Sequence, residues 1–159
     1  MQITVIAVGK IKEKYLQDGI AEYEKRLRPL IRLNLLELPD EKRPVNPSPA
    51  QEDAAKKAEG TRVIAAIPSE SYAIALDVGG EHWSSEDLAR ALNRWEMAGR
   101  NHVTLTVGGD LGLSDEVIAR CPLRLSLSPM TFTHPMARMI LLEQVYRAVK
   151  INRGEPYHK

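Results

Sequence analysis

Two periods of apolar residues alternate along this chain, and their order predicts its architecture. Gln2 to Val8 is a run of β-branched and apolar residues that stops at Gly9, the pattern of a short buried strand. From Lys12 to Leu27 the apolar positions Tyr15, Leu16, Ile20, Tyr23 and Leu27 recur at spacings of about three to four, one face of a helix that Pro29 closes. Ile31 to Leu38 reads as a second strand. Four prolines between Pro39 and Pro49 then demand an exposed, partly extended loop.

The second half repeats the alternation. Ser48, Pro49 and Gln51 form a helix start, with a hydroxyl cap, a proline at the first helical position and a glutamine three residues after the cap. That helix should run to about Ile67. Tyr72 to Val78 is a third strand, ended by the pair Gly79 and Gly80 read as a turn. Ser84 or Ser85 caps a helix through Met97 that stops at Gly99. His102 to Val107 is a fourth strand, followed by Gly-Gly-Asp-Leu-Gly. Ser114, Asp115 and Glu116 open a short helix, acidic at the positive end of its dipole. Leu123 to Ser128 is a fifth strand, and Pro135 to Asn152 a last helix closed by Gly154. Five alternations with near-continuous apolar strands predict an α/β fold: a mostly parallel sheet with helices on both faces, in one domain spanning 1–159.

Composition agrees with a single core. The chain has 159 residues, 43% of them apolar and 27% charged, within the range of globular domains. Cys121 is the only cysteine, so no intrachain disulfide can form, and the longest early apolar run is too short for a membrane span. A cytoplasmic protein without a membrane partner is expected. Net charge is +1, but from His134 onward Arg138, Arg147, Lys150, Arg153 and Lys159 face only Glu143 and Glu155. That segment carries +3 and the remainder −2, which marks a candidate phosphate-facing patch on a slightly acidic body.

In open parallel sheets, ligands bind where the loops leave the carboxyl ends of the strands. Those ends are Leu76 with Asp77, Val107 with Gly108 and Gly109, and Leu127 with Ser128 to Thr131. A nucleotide-like ligand suits them. The glycine pair alone reads as a turn: Gly-Gly-Asp-Leu-Gly lacks the dinucleotide-binding spacing, and no Gly-Lys-Ser/Thr follows it. His82, His102, His134 and His158 have no cysteine or i,i+4 histidine partner, so no metal site is expected. No Gly-x-Ser-x-Gly elbow occurs, and Trp83 and Trp95 read as packing residues. The last helix is apolar on more than one stripe, with Met136, Met139, Ile140, Leu141, Leu142, Val145, Ala148 and Val149. It must run through the core or form a subunit interface.

The segment LSLSPMTFTHPMARMILLEQVYRAVKINRGEPYHK, with ITVIAVGKIKEKY, IALDVGG and TVGGDLGL, closely resembles the SPOUT-class methyltransferases that methylate N3 of a pseudouridine in 23S ribosomal RNA. The likeness covers essentially the whole chain. It implies a homodimeric S-adenosylmethionine enzyme acting on assembled ribosomes, with a trefoil knot near the C-terminus. It implies cofactor contacts at Leu76, Gly108, Leu127, Ser128, Pro129, Met130, Thr131 and Phe132. It makes His158 the candidate base, since imidazole titrates near 6.5 and tyrosine near 10, and Tyr157 a positioning or stacking group. Arg147, Lys150 and Arg153, with Arg138 and Lys159, would face RNA. Three other readings stay open: a nicotinamide-dependent oxidoreductase, a non-enzymatic ribosome-associated factor, and a ribose methyltransferase acting on transfer RNA.

Overall fold

A computed structural model describes residues 1–159. In chain order the elements are β1 (Gln2–Val8), α1 (Lys14–Leu27), β2 (Arg32–Leu38), α2 (Pro49–Ala66), β3 (Tyr72–His82), α3 (Ser85–Met97), β4 (His102–Val107), α4 (Asp115–Arg120), β5 (Leu123–Ser126) and α5 (His134–Asn152). The five strands form one all-parallel sheet in the order β2-β1-β4-β3-β5.

Side-chain alternation splits the core in two. Ile3, Val5 and Ala7 of β1, Val103, Leu105 and Val107 of β4, and Ile74 of β3 point to one face, where α1, α3 and α5 lie. Ile6, Val8, Ala73 and Ala75 point to the other, against Val63 and Ile67 and the α4 residue Val117. A strand presents successive residues to opposite sides, so a strand buried on both sides must be apolar throughout. β2 is the exception. It stands at the sheet edge, and Leu35 and Leu36 are partly exposed.

Local signals set the helix boundaries. Ser48 accepts from the Gln51 amide, Gln51 reaches back to the Ser48 amide, and Pro49 occupies the first helical turn. Ser84 and Asp87 make the same reciprocal pair at α3, so Ser84, not Ser85, is the cap. Gly99 and Gly154 take positive φ just past α3 and α5, as helix stops require.

One expected turn is not a turn. β3 continues through Gly79 and Gly80 to His82, and its register against β5 jumps from Leu76 opposite Leu125 to Glu81 opposite Leu125. The extra residues form a bulge. A Cβ at Gly80 would lie 2.7 Å from the backbone of Arg124 and Leu125, so this glycine serves close strand approach. The fifth strand is also shorter than predicted, ending at Ser126, and Leu127 and Ser128 already belong to the following loop.

The last helix packs between α1 and α3 over the sheet, which buries Leu141, Leu142, Val145 and Ala148. Its two-sided apolarity is therefore largely used within the chain. Met136, Met139 and Ile140 remain half-buried.

Candidate functional site

A cleft of about 690 Å³ opens at the carboxyl ends of β4 and β5 and at the start of the β3 bulge, a size suited to a cofactor-sized ligand. Its walls are the β3 bulge, two loops and the first turn of α5. From β3 come Leu76, Asp77 and Val78; from the loop after β4, Gly108, Gly109, Asp110, Gly112 and Leu113; from the loop after β5, Leu127, Ser128 and Met130 to Thr133. His134, Pro135 and Ala137 of α5 and Glu13 before α1 complete it.

The loop after β4 is held by backbone contacts. The Gly112 amide donates to the Gly109 carbonyl at 3.0 Å, closing a tight turn. A Cβ at Gly108 would stand 2.7 Å from the Gly112 carbonyl oxygen and the Leu113 amide nitrogen, so the turn admits only glycine there. The loop after β5 is braced differently. Ser126 Oγ donates to the Ser128 carbonyl, and the Met130 amide donates to Ser128 Oγ, both at 3.0 Å. Met130 projects from the rim, 76% exposed.

The wall is apolar with acidic points. Leu76, Val107, Leu113, Leu127, Phe132 and Ala137 supply the apolar area, and Glu13, Asp77 and Asp110 supply carboxylates. No lysine or arginine lines the cleft. Asp77 is oriented by Arg124, whose Nε donates to it at 2.5 Å, and by the Gly79 amide at 2.9 Å. Burial first, and then the Arg138 guanidinium, holds the His134 imidazole below its usual range. It is neutral at pH 7, and its buried Nδ1 has no partner. Such a lining suits an amphipathic ligand carrying positive charge. It disfavours a pyrophosphate: although the first turn of α5 lines the cleft, no lysine or arginine does, and the carboxylates of Glu13, Asp77 and Asp110 would repel it.

Seven of the eight residues expected to touch a cofactor line this one cleft: Leu76, Gly108, Leu127, Ser128, Met130, Thr131 and Phe132. Pro129 is exposed and outside the lining. His134 and Asp110 were not foreseen. The signal for His134 was its place, opening a helix directly after a strand-end loop, but spacing alone treated it as one of four scattered histidines.

The predicted phosphate-facing set divides. Arg138 does not belong to it. Its side chain is 7% exposed, Nη1 donates to Glu37 at 3.0 Å, and Nη2 donates to the Val8 carbonyl at 2.6 Å and to that of Gly9. It ties the start of α5 to the end of β1, and burial lowers its pKa. Arg147 pairs with Glu143 at 2.5 Å, while Lys150 and Arg153 both pair with Glu155. Lys159 makes no ion pair.

The terminal residues lie away from the cleft. Tyr157 packs edge-on against Tyr146, sits under Arg147, and donates its hydroxyl to Glu143 at 3.1 Å. Burial, reinforced by contacts with Tyr23 and Glu143, raises its pKa. His158 Nε2 is 2.8 Å from Glu86, and its Nδ1 is 3.3 Å from Arg147 Nη1. Glu143 lies nine residues beyond His134, about 14 Å along the helix axis. The cleft and the Tyr-His-Lys terminus are thus two separate places.

Comparison with known proteins places this geometry. Residues 1–158 match the family model described as "Predicted SPOUT methyltransferase". A Methanoregula boonei protein provisionally named ribosomal RNA large subunit methyltransferase H is 56% identical over all 159 residues, covering 100% of both chains. Proteins of Carboxydothermus hydrogenoformans and Heliobacterium modesticaldum, each named ribosomal RNA large subunit methyltransferase H, are 51% identical over 100% of this chain and 100% and 99% of their own. Among solved structures, a probable methylase family protein from Haemophilus influenzae shares the fold with a TM-score of 0.52 and 12% identity, over 99% of this chain and 70% of that one. A probable methyltransferase from Bordetella pertussis shares it with a TM-score of 0.50 and 14% identity, over 93% and 95%.

Proposed function

The chain belongs to the SPOUT methyltransferase family, and on that footing we propose that it uses S-adenosylmethionine to methylate large-subunit ribosomal RNA, at N3 of a pseudouridine in assembled ribosomes. The observation that carries the cofactor assignment is the cleft: apolar, acidic at three points, free of lysine and arginine, and walled by the β3 bulge and the loops after β4 and β5. Bound there, the cofactor supplies an electrophilic methyl group on a sulfonium. Glu13, Asp77 and Asp110 complement its positive charge, and the apolar loop residues Leu76, Leu127 and Phe132 hold its uncharged parts. Gly108 keeps the wall thin enough for backbone amides to approach the ligand.

Transfer to N3 forms an N–C bond and breaks the S–C bond, and the N3 proton must leave. His158 is the base in this reading, and Tyr157 positions the nucleoside. Neither reaches the cleft of its own chain: Tyr157 is folded back onto Glu143 of α5, and His158 onto Arg147 of α5 and Glu86 of α3. The reading therefore takes the active unit as a homodimer in which α5 packs antiparallel against α5 of a second copy, so that each tail serves the other cleft. Half-buried Met136 and Ile140 provide the apolar contact, beside Met139, whose sulfur packs against Gly19 of α1. Arg147, Lys150, Arg153 and Lys159 then exchange carboxylate partners for RNA phosphates. α5 follows edge strand β5 and packs over the sheet between α1 and α3; the trefoil knot that the family likeness implies belongs to this C-terminal segment. No helix is long and apolar enough to cross a membrane, consistent with work on ribosomes in the cytoplasm.

The test is methyl transfer from labelled S-adenosylmethionine to ribosomes lacking the modification, followed by mapping of the labelled nucleotide. Label at N3 of a pseudouridine is expected; label on a ribose, or none, overturns the reading. His158→Ala should leave cofactor affinity intact and lower turnover by about 10²–10⁴-fold, the usual worth of a general base.

A further inference from the structure

The proline-rich segment from Pro39 to Pro49 had no evident role as a sequence. In the structure its first half is pinned by side chains of α2, and its end enters α2 through the Ser48 cap. Arg62 of α2 donates through Nη1 to the Pro39 carbonyl at 3.0 Å and pairs with Glu41 through Nη2. The Glu41 amide donates to Oε1 of Glu59 at 2.9 Å, and Glu59 is 3% exposed on the inner side of α2. Arg43 extends from this anchored stretch and pairs with Asp110 at the tip of the turn after β4. Beyond it, Val45 is 96% exposed.

Asp110 lines the cleft, and Arg43 is the only partner its carboxylate has. The same turn is backed from within by Val8 and Glu59: a Cβ on Gly109 would stand 3.4 Å from Val8 Cγ1 and 3.8 Å from Glu59 Oε2. The wall of the cleft is therefore clamped between α2 on the inside and the proline-rich segment on the outside. Pro39 at the start of this stretch and Pro44 directly after Arg43 restrict the backbone at both ends, and the Arg62 and Glu59 contacts fix what lies between.

We propose that Pro39 to Arg43 is a strap that presets the cofactor-binding turn, with Arg43 a positioning residue for S-adenosylmethionine acting through Asp110. The inference rests on the cofactor assignment above. Its effect on affinity has a sign that plain electrostatics does not share. Arg43 is a cation 23% exposed beside a cleft for a cation, so deleting it should tighten binding if only charge mattered. If Arg43 holds the turn in its binding shape, deleting it weakens binding, because the ligand must then order the turn itself.

Calorimetry with S-adenosylmethionine and with the neutral product S-adenosylhomocysteine separates these. For Arg43→Ala the strap predicts a Kd raised about two- to five-fold for both ligands, the range open to a partly exposed ion pair. Arg43→Lys should recover part of the loss. The double variant Arg43→Ala/Asp110→Asn should be no weaker than the worse single variant. Hydrogen exchange in the cofactor-free protein should quicken at the amides of residues 109–113 in Arg43→Ala, with Tm unchanged. An Arg43→Ala Kd equal to or below that of the wild type, or single-variant losses that simply add, overturns the strap. Wild-type protein that binds neither ligand overturns the cofactor assignment, and the strap with it.

Discussion

The two ends of α5 are built on different principles. At its start, Arg138 is buried and fixed mainly on backbone, the Val8 and Gly9 carbonyls, with the Glu37 carboxylate as its third partner, and the neighbouring cleft wall is shaped by the Gly108 to Gly112 turn. At its end, all the partners are carboxylates: Glu143 for Arg147 and Glu155 for Lys150, both pairs half-buried, Glu155 for Arg153, and Glu86 for His158. Buried contacts with backbone resist exchange, since breaking them leaves unpaired polar groups out of reach of water. Exposed ion pairs are weak and screened by salt. The first end is therefore the more rigid of the two, and under the proposed function the second is the one whose ion pairs would give way to phosphates.

Substituting arginines along this helix tests the contrast most severely. Arg138→Met leaves the Glu37 carboxylate and two buried carbonyls without their partner, and should cost about 3–5 kcal/mol. At this chain length that is a fall in Tm of roughly 6–20 °C. Arg147→Gln removes a half-buried pair with one carboxylate and should cost less, about 1–2 kcal/mol, while weakening ribosome binding and reducing its salt dependence. Equal Tm losses in thermal denaturation would erase the distinction between the two ends.

Gly108→Ala probes the preformed cleft alone. The added methyl meets the backbone of Gly112 and Leu113, a strain of order 1–3 kcal/mol, and cofactor affinity should fall about 10- to 100-fold. The tail should still hold ribosomes, so co-sedimentation with them is expected to stay near wild type. Loss of both activities together would show that the ends are not independent.

Glu59→Gln is the mildest change and sharpens the picture beneath the cleft. Burial foremost, then nearby Asp110 and Asp40, holds the Glu59 carboxyl above its ordinary value of 4.5, against the Glu41 amide and Arg43, which lower it. Below about 4.5 the folded and unfolded chains both carry the proton, so no penalty arises. As pH rises, the unfolded chain loses its proton first and the wild type loses stability until the folded group has also titrated. The Tm of Glu59→Gln should therefore match the wild type near pH 4 and exceed it at pH 7. A constant offset between the two melting curves would remove Glu59 as the cause.

Much of this was readable from the chain. The order of five strands and five helices follows from apolar periodicity, and the caps at Ser48 and Ser84 from side chains within three residues of the amides they satisfy. Seven of the cleft residues were found because a parallel sheet exposes its loops at one end and the family likeness named the same loops. Charge was the poorest guide. Arg138 and Arg147 look alike in a list of basic residues, and nine positions on one helix separate a buried tie to backbone from a half-buried pair with a carboxylate.

What the sequence determined by itself is local: which segments are strands or helices, where they start and stop, and which strand faces must be covered. Its causes act within a few residues, so they survive being read in one dimension. Only the tertiary structure decided that Gly79 and Gly80 open a bulge beside Arg124, that Arg138 spends its charge on the carbonyls of Val8 and Gly9, and that Arg43 reaches Asp110. Those partners lie between about 45 and 130 positions apart along the chain. Their meeting depends on the order in which parallel strands are laid side by side, a choice made by packing the whole core at once.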